Sequence, residues 1–384
     1  MSSIELVGVT KKFGKVTALK NVNLKIKDKE FFVLFGPAGA GKTTILNIIA
    51  GIHMPNEGIV KIDDAIVNHV ETQNRNVAMV FEKYALYPNL TVYNNMASPL
   101  RSPKYKKDEA YIKETVERVA ALLKIDMLLE RLPIQLSNGQ RQRVALGRAL
   151  VRYPNVYLMD EPLAHLDAKL RNLMRGELKI IQSNFDTTSI YVTHDFMEAM
   201  SLGDRIAIIN EGEIVQIGTS DEIYYMPRNE FVATLMGDPE INLLDCKLDM
   251  SGSEYKITLN DFGAVLTLPR EDALYEKLEE CGVTNLRMGI RPQNIEYSFE
   301  PSDDFLKGSV NAFETIGNKS VLVAKLGGTE ARIIVPNGLP VKLDQDVYVK
   351  FDMKQILFFN SGTTEYICRY NEASVRALAA EQAE

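Results

Sequence analysis

Gly36-Pro37-Ala38-Gly39-Ala40-Gly41-Lys42-Thr43-Thr44 lies between an apolar run, Phe31-Phe32-Val33-Leu34-Phe35, and a helical one, Ile45-Leu46-Asn47-Ile48-Ile49-Ala50, which Gly51 ends. The order strand, glycine-rich loop, helix gives the string a physical meaning. Glycines let successive N–H groups converge on a phosphate, and the helix N-terminus adds positive potential. Lys42 supplies a point charge for β- and γ-phosphates, and the Thr43 hydroxyl suits Mg²⁺. A plain glycine turn would leave a lysine followed by two threonines unexplained. The stretch predicts a nucleotide site held by residues 36–44.

Working outward, Val77-Ala78-Met79-Val80-Phe81 and Val156-Tyr157-Leu158-Met159 are apolar on both faces, as a strand buried from both sides requires. Ser189-Ile190-Tyr191-Val192-Thr193 reads as a further strand of the same kind. The alternation of such strands with helical patterns predicts an α/β fold around a parallel sheet. Ile4–Val9 and Val22–Ile26 read as shorter, more exposed strands of a separate β layer. Ile112, Val116, Val119 and Leu123 recur at helical spacing, so a helical insertion interrupts the sheet between about Asp108 and Lys124.

The second half of a nucleotide site is acidic and ends a strand. Asp160-Glu161 follows Val156–Met159, with Asp160 placed to hold Mg²⁺ through water and Glu161 to polarise an attacking water. His194 ends a neighbouring strand, where it can donate to a γ-phosphate and organise that water.

Composition narrows the alternatives. With 44 Lys+Arg against 51 Asp+Glu the formal charge is −7, which argues against a protein that coats nucleic acid, and no nucleic-acid partner is expected. No run approaches the ~18 apolar residues of a membrane-spanning helix, and the N-terminus lacks a signal-peptide pattern. Cys246, Cys281 and Cys368 are far apart in sequence and read as isolated thiols of a reducing cytosol.

Leu136-Ser137-Asn138-Gly139-Gln140-Arg141-Gln142-Arg143 decides the branch of nucleotide hydrolases. It resembles the leucine-serine-glycine-glycine-glutamine signature of ABC ATPases. With the phosphate loop, Asp160-Glu161, the loop Leu163-Ala164-His165-Leu166-Asp167 and His194, every element stands in family order over Ser2–Met236. The resemblance implies a P-loop NTPase domain over residues 1–236, with a helical subdomain at about 85–150. It implies ATP and Mg²⁺, with Thr43, Asp160 and Glu82 as metal ligands and Glu161, His194 and Glu82 as catalytic residues. Phe13, assisted by Val16, would stack on adenine. Ser137, Asn138, Gly139 and Gln140, with Asp167, would act on ATP held by an opposite subunit. One chain then makes no complete site, and two nucleotide domains clamp two ATPs head to tail.

Two departures from the family stand out. Glu82 replaces a glutamine, and a carboxylate only accepts hydrogen bonds. Losing one oriented donor costs about 10²–10³ in rate at comparable sites, so slower hydrolysis is expected. Asn138 replaces the first signature glycine, and asparagine tolerates left-handed backbone angles that a glycine loop would use. Ala38 replaces a common serine, which matters little where backbone N–H groups bind.

The resemblance extends to importers. Residues 83–93 and the helical insertion would form a groove for a short cytoplasmic helix of a membrane subunit, with Tyr84 and Tyr87 as aromatic anchors. The expected partners are a second ATPase subunit, identical or not, two transmembrane permease subunits and, through them, a periplasmic or extracellular solute-binding protein. The expected location is the cytoplasmic face of the inner membrane. Residues 237–370, opened by the turn Gly237-Asp238-Pro239, alternate as strands do. They resemble the all-β oligonucleotide-fold (OB/TOBE-like) regulatory domain of maltose-type importers, which points to a sugar or a sugar-like polyol. Importers of polyamine, metal or oxyanion share the plan, and Glu82 and Asn138 also suit a weakly active regulatory subunit. Residues 371–384 read as an Ala/Glu-rich tail.

Overall fold

Two layers of strands meet on the helix that the phosphate loop starts. The computed structural model describes residues 2–369 and residue 372, except residues 186, 252–253, 261–263, 270–272, 303 and 318. All of the expected tail except Glu372 lies outside the described residues.

The first layer is antiparallel. Strands β1 (Ile4–Phe13) and β2 (Val16–Ile26) pair as a hairpin, and β1 also pairs with β4 (Glu57–Ile62), which carries β5 (Ala65–Ile66) at the edge. Both hairpin strands run longer than their apolar runs: pairing continues through polar residues to Phe13↔Val16, interrupted by register shifts along the pair. The second layer orders β10 (Glu213–Gly218), β9 (Arg205–Asn210), β3 (Phe31–Phe35), β8 (Thr188–Thr193), β7 (Val156–Asp160) and β6 (Val77–Val80). All neighbours are parallel except β9 and β10.

Burial on both faces holds for β3, β7 and β8, whose residues are all buried. It fails for β6, where Val77, Ala78 and Met79 are half-buried because this strand is the sheet edge. Helix α1 (Lys42–Ala50) lies between the layers. Its Ile45, Ile48 and Ile49 join Ile4 and Leu24 of one sheet and Leu34, Leu158 and Val192 of the other in one core.

The insertion contains α2 (Val92–Ala97), α3 (Glu109–Leu122) and α4 (Asn138–Leu150), which pack on one another. Asp108 caps α3 by accepting from the Tyr111 N–H, and Ile112, Val116 and Val119 are buried as their spacing requires. Helices α5 (Ala168–Phe185) and α6 (Phe196–Leu202) follow β7 and β8.

Backbone contacts divide the chain at Ser220/Asp221 into two compact units. The sequence places the division later, at Gly237. The helix Glu230–Leu235 belongs with the strands beyond it, since Glu230 N–H donates to the Thr364 carbonyl and Tyr366 N–H to that of Arg228. The second unit has two antiparallel sheets. One runs Val265–Pro269, Glu254–Leu259, Asn242–Asp249, Asn285–Ile290, Leu357–Asn360 and Tyr366–Arg369 from edge to edge. The other runs Ile295–Ser298, Asp346–Phe351, Leu306–Ile316, Lys319–Leu326 and Thr329–Val335. Both feed one apolar core that includes Met288, Leu322 and Phe358. Cys246 and Cys368 are buried and outside any disulfide, and burial pushes both thiols up to about 12, which disfavours the thiolate.

Candidate nucleotide site

The site forms where parallel strands end, at the crossover between β3 and its neighbours. Gly36 leaves β3 against β9 so closely that a Cβ would sit 2.2 Å from the Ile209 carbonyl oxygen. Gly41 has φ +110, and a Cβ there would meet the Ala18 carbonyl at 2.9 Å. Both glycines are therefore steric necessities. The Ala40 N–H donates to the Pro37 carbonyl, and Ile45 N–H to that of Gly41, which begins α1. Ala38 and Gly39 are exposed at the loop tip, while Thr44 is half-buried on the first turn.

Lys42 is buried at 5% exposure, with its Nζ donating to the carbonyls of Gly36 at 2.7 Å and Pro37 at 2.9 Å. Burial lowers its pKa, against the opposing pull of Glu161 and Asp160. The ammonium is thus held inside the loop by backbone oxygens.

Thr43 Oγ1 donates to Asp160 Oδ1 at 3.1 Å, bringing a hydroxyl and a carboxylate together from elements far apart in sequence. Burial first, then Glu161 and Glu82, pushes Asp160 up to about 6, partly offset by the Thr43 hydrogen bond and Lys42. This all-oxygen pair, with a buried carboxylate whose charge is disfavoured, fits a hard dication such as Mg²⁺. Glu82 is exposed in the turn after β6. The register Val80↔Met159 brings it to the same end of the sheet as Asp160 and Glu161.

Glu161 has φ 45, unusual for a residue with a side chain, and its N–H donates to the Val192 carbonyl. Its Oε1 lies 2.9 Å from His194 Nδ1. The two side chains singled out at separate strand ends are therefore one pair. The His194 side chain is 60% exposed, whereas that of Glu161 is 20% exposed.

Phe13 and Val16 face one another across the hairpin turn between β1 and β2 and are both exposed. The Phe13 ring meets His53 edge-on at 5.2 Å and Lys11 Nζ at 4.9 Å, so it is a surface ring and not a core one. Further along β2, Ala18 and Leu19 abut Gly41, which ties the hairpin to the phosphate loop.

Ser137 is the N-cap of α4. Its Oγ accepts from the Gln140 N–H at 3.3 Å, and the Gln140 Oε1 accepts from the Ser137 N–H at 2.9 Å. Asn138 is the first helical residue and has no positive φ, so the left-handed backbone invoked for it is not needed. A helix start accepts asparagine where a glycine loop would not have to. Gly139 follows, with Leu166 Cδ2 3.2 Å from where a Cβ would be. Asp167 is exposed, and Asp167 Oδ1 accepts from the Leu170 N–H at the start of α5.

Sequence reasoning missed four side chains here. Gln142 is 2% exposed and donates from α4 to the Glu161 carbonyl at 3.3 Å. Arg171 and Asp195 pair at 3.2 Å, and buried Glu198 accepts from Tyr191 Oη and Thr193 Oγ1. Their signals were faint: one polar residue on the apolar face of α4, and a carboxylate four positions after His194.

The region after Glu82 also differs from expectation. Tyr84 and Ala85 have φ of 60 and 46, and Arg148 of α4 donates to both carbonyls, at 3.2 and 2.8 Å. Tyr84 packs edge-on against His165, whereas Tyr87 lines a groove of about 530 Å³ with Ser98, Pro99, Tyr105, Arg148 and Arg152. Of the two expected anchors, Tyr87 faces the groove.

The family model described as ABC transporter matches residues 19–164. The chain is 42% identical to the trehalose/maltose import ATP-binding protein MalK of Thermococcus litoralis, over 96% of this chain and 100% of that one. It is 40% identical to the osmoprotective compounds uptake ATP-binding protein GgtA of Synechocystis, over 94% and 98%, respectively. It is 43% identical to the sn-glycerol-3-phosphate import ATP-binding protein UgpC of Brucella abortus, over 85% and 88%. Among solved structures, the dimeric post-hydrolysis state of the ATP-binding cassette MJ0796 with ADP and Pi superposes with a TM-score of 0.53 at 33% identity, covering 56% of this chain and 98% of that one.

Proposed function

We propose, from the premise that this chain belongs to the ABC transporter ATP-binding family, that it is the ATP-hydrolysing subunit of a prokaryotic importer for a sugar or a sugar-like polyol. The observation that carries the chemistry is the Glu161–His194 pair at 2.9 Å, set beside the Thr43–Asp160 pair at the end of the same sheet. The relatives named for trehalose/maltose, glycerol phosphate and osmoprotectant uptake support the solute class.

In this reading the loop N–H groups and Lys42 hold the phosphates of ATP, and Phe13 and Val16 take the adenine. Thr43, Asp160 and Glu82 would hold Mg²⁺, which would supply positive charge to offset that of the phosphates. Glu161 accepts a proton from the attacking water, and His194 orients that water and the γ-phosphate. Ser137, Asn138, Gly139 and Gln140 face ATP bound to a second subunit, with Asp167 beside them. Closure of the dimer acts on two permease subunits, and through them on an external solute-binding protein. The groove at Tyr87 receives a permease helix. The chain then works at the cytoplasmic face of the membrane; among the described residues no helix is long and apolar enough to cross it. The all-β region extends the dimer contact or receives regulators. A weakly active regulatory role keeps one supporting feature, Glu82, since Asn138 sits comfortably in a helix.

The test is turnover by purified protein. Lys42→Ala is expected to abolish ATP hydrolysis, and Glu161→Gln to retain bound ATP in a closed dimer that elutes at twice the monomer mass. Normal phosphate release by either variant overturns the reading.

A further inference from the structure

We propose that Arg171 is a positioning residue for hydrolysis, tying the loop Leu163–Asp167 to the His194 turn so that the histidine stays beside Glu161. The inference rests on the site reading above.

His194 needs such support. Its side chain is mostly exposed, so packing does little to fix the ring. Its orientation must come from the backbone on either side, and both neighbours are tied down. Thr193 Oγ1 donates to Glu198 Oε2 at 2.7 Å and accepts from the Asp195 N–H at 2.9 Å. Asp195 Oδ1 caps α6 by accepting from the Glu198 N–H at 3.0 Å. Glu198 is 2% exposed, and Tyr191 Oη donates to it at 2.9 Å.

Arg171 joins this cluster to the other side of the site. Its Nη1 donates to Asp195 Oδ2 at 3.2 Å, and its Nε faces Glu198 Oε1 at 3.9 Å. Its Nη2 reaches the carbonyls of Leu166 at 3.2 Å and Ala164 at 3.4 Å. Ala164 in turn donates its N–H to the Glu161 carbonyl at 3.2 Å. One rigid fork therefore spans from the loop hydrogen-bonded to Glu161 to the turn that carries His194. A lysine could keep the ion pair, but it presents all its donors from one nitrogen and lacks the planar fork whose two Nη atoms serve the carboxylate and the carbonyls separately.

The experiment measures kcat for ATP and Kd for ADP on the full chain, for Arg171→Ala, Arg171→Lys, His194→Ala and the double variants. The expected result is a kcat lower by about 10–100-fold in Arg171→Ala, as for a group misplaced by a fraction of an ångström. The Kd for ADP should stay within about twofold, which separates positioning from binding. Arg171→Lys should fall between the wild type and Arg171→Ala. In the His194→Ala background either change at 171 should alter kcat by less than about twofold, since its route of action is gone. Unchanged kcat in Arg171→Ala, parallel loss of kcat and ADP affinity, or full additivity with His194→Ala overturns the proposal. If Arg171→Ala does not fold, Arg171→Lys carries the same cycle. Normal turnover by His194→Ala alone is a different failure: it removes the site reading, and this inference with it.

Discussion

Glu82 and Asp160 show how one proton or one donor sets the behaviour of the site. Glu82 can only accept hydrogen bonds where the family places an amide that also donates, and it adds negative charge near Asp160. Glu82→Gln should therefore raise kcat by about tenfold or more, read by phosphate release; no gain would mean the carboxylate serves as well as the amide. For Asp160, burial first, then Glu161 and Glu82, pushes the folded-state pKa up to about 6, above an ordinary aspartate near ~4. The folded chain then keeps a proton that the unfolded chain releases, so stability from this group is present below about pH 4 and lost as pH rises through 6. Asp160→Asn should raise the unfolding free energy of nucleotide-free protein at pH 7.5, by as much as roughly 3 kcal/mol in denaturant titration, and change it little at pH 4. Equal shifts at both pH values would rule out a buried charge as the cause.

Among the elements, α4 links the most parts of the site. Its N-terminus is the Ser137–Gln140 box, its middle reaches the Glu161 carbonyl through Gln142, and near its end Arg148 holds the Tyr84–Ala85 turn. A helix is stiff over such a length, so a shift at one end is felt at the other. Tyr87 is exposed, under the Arg148 guanidinium at 5.4 Å. Tyr87→Ala should weaken association with the permease subunits by about tenfold or more while leaving ADP affinity intact, as expected for a truncated aromatic anchor. Tyr84→Ala should weaken it less, because that ring packs on His165. Equal losses in co-purification would return the docking role to both. Within α1, Ile48 is fully buried between the two sheets, and Ile48→Ala should cost about 2–5 kcal/mol in denaturant titration.

At the scale of the molecule, each chain holds one phosphate loop and one α4 N-terminus, and the proposed site takes its two halves from different copies. A Lys42→Ala chain mixed with a Ser137→Arg chain should therefore regain turnover that neither shows alone, since one composite site in the mixed dimer keeps both halves. Failure of the mixture, with dimers formed, would remove the sandwich.

What the chain wrote locally could be read without coordinates. The phosphate loop needs consecutive residues only, because glycines, Lys42 and the following helix act within one turn of backbone. The buried strands announced themselves by apolar runs, and the helix that begins after Asp108 by its apolar spacing. What depended on neighbours distant in sequence could not be read. β6 became the sheet edge and is half-buried, although Val77-Ala78-Met79-Val80 is as apolar a run as Val156–Met159 in the buried β7 beside it. That Asn138 opens a helix and needs no special backbone angle follows from where the Ser137 cap falls. Arg171, Gln142 and Glu198 acquired partners only when separate segments converged, since a hydrogen bond depends on distance in space and leaves no period in the sequence.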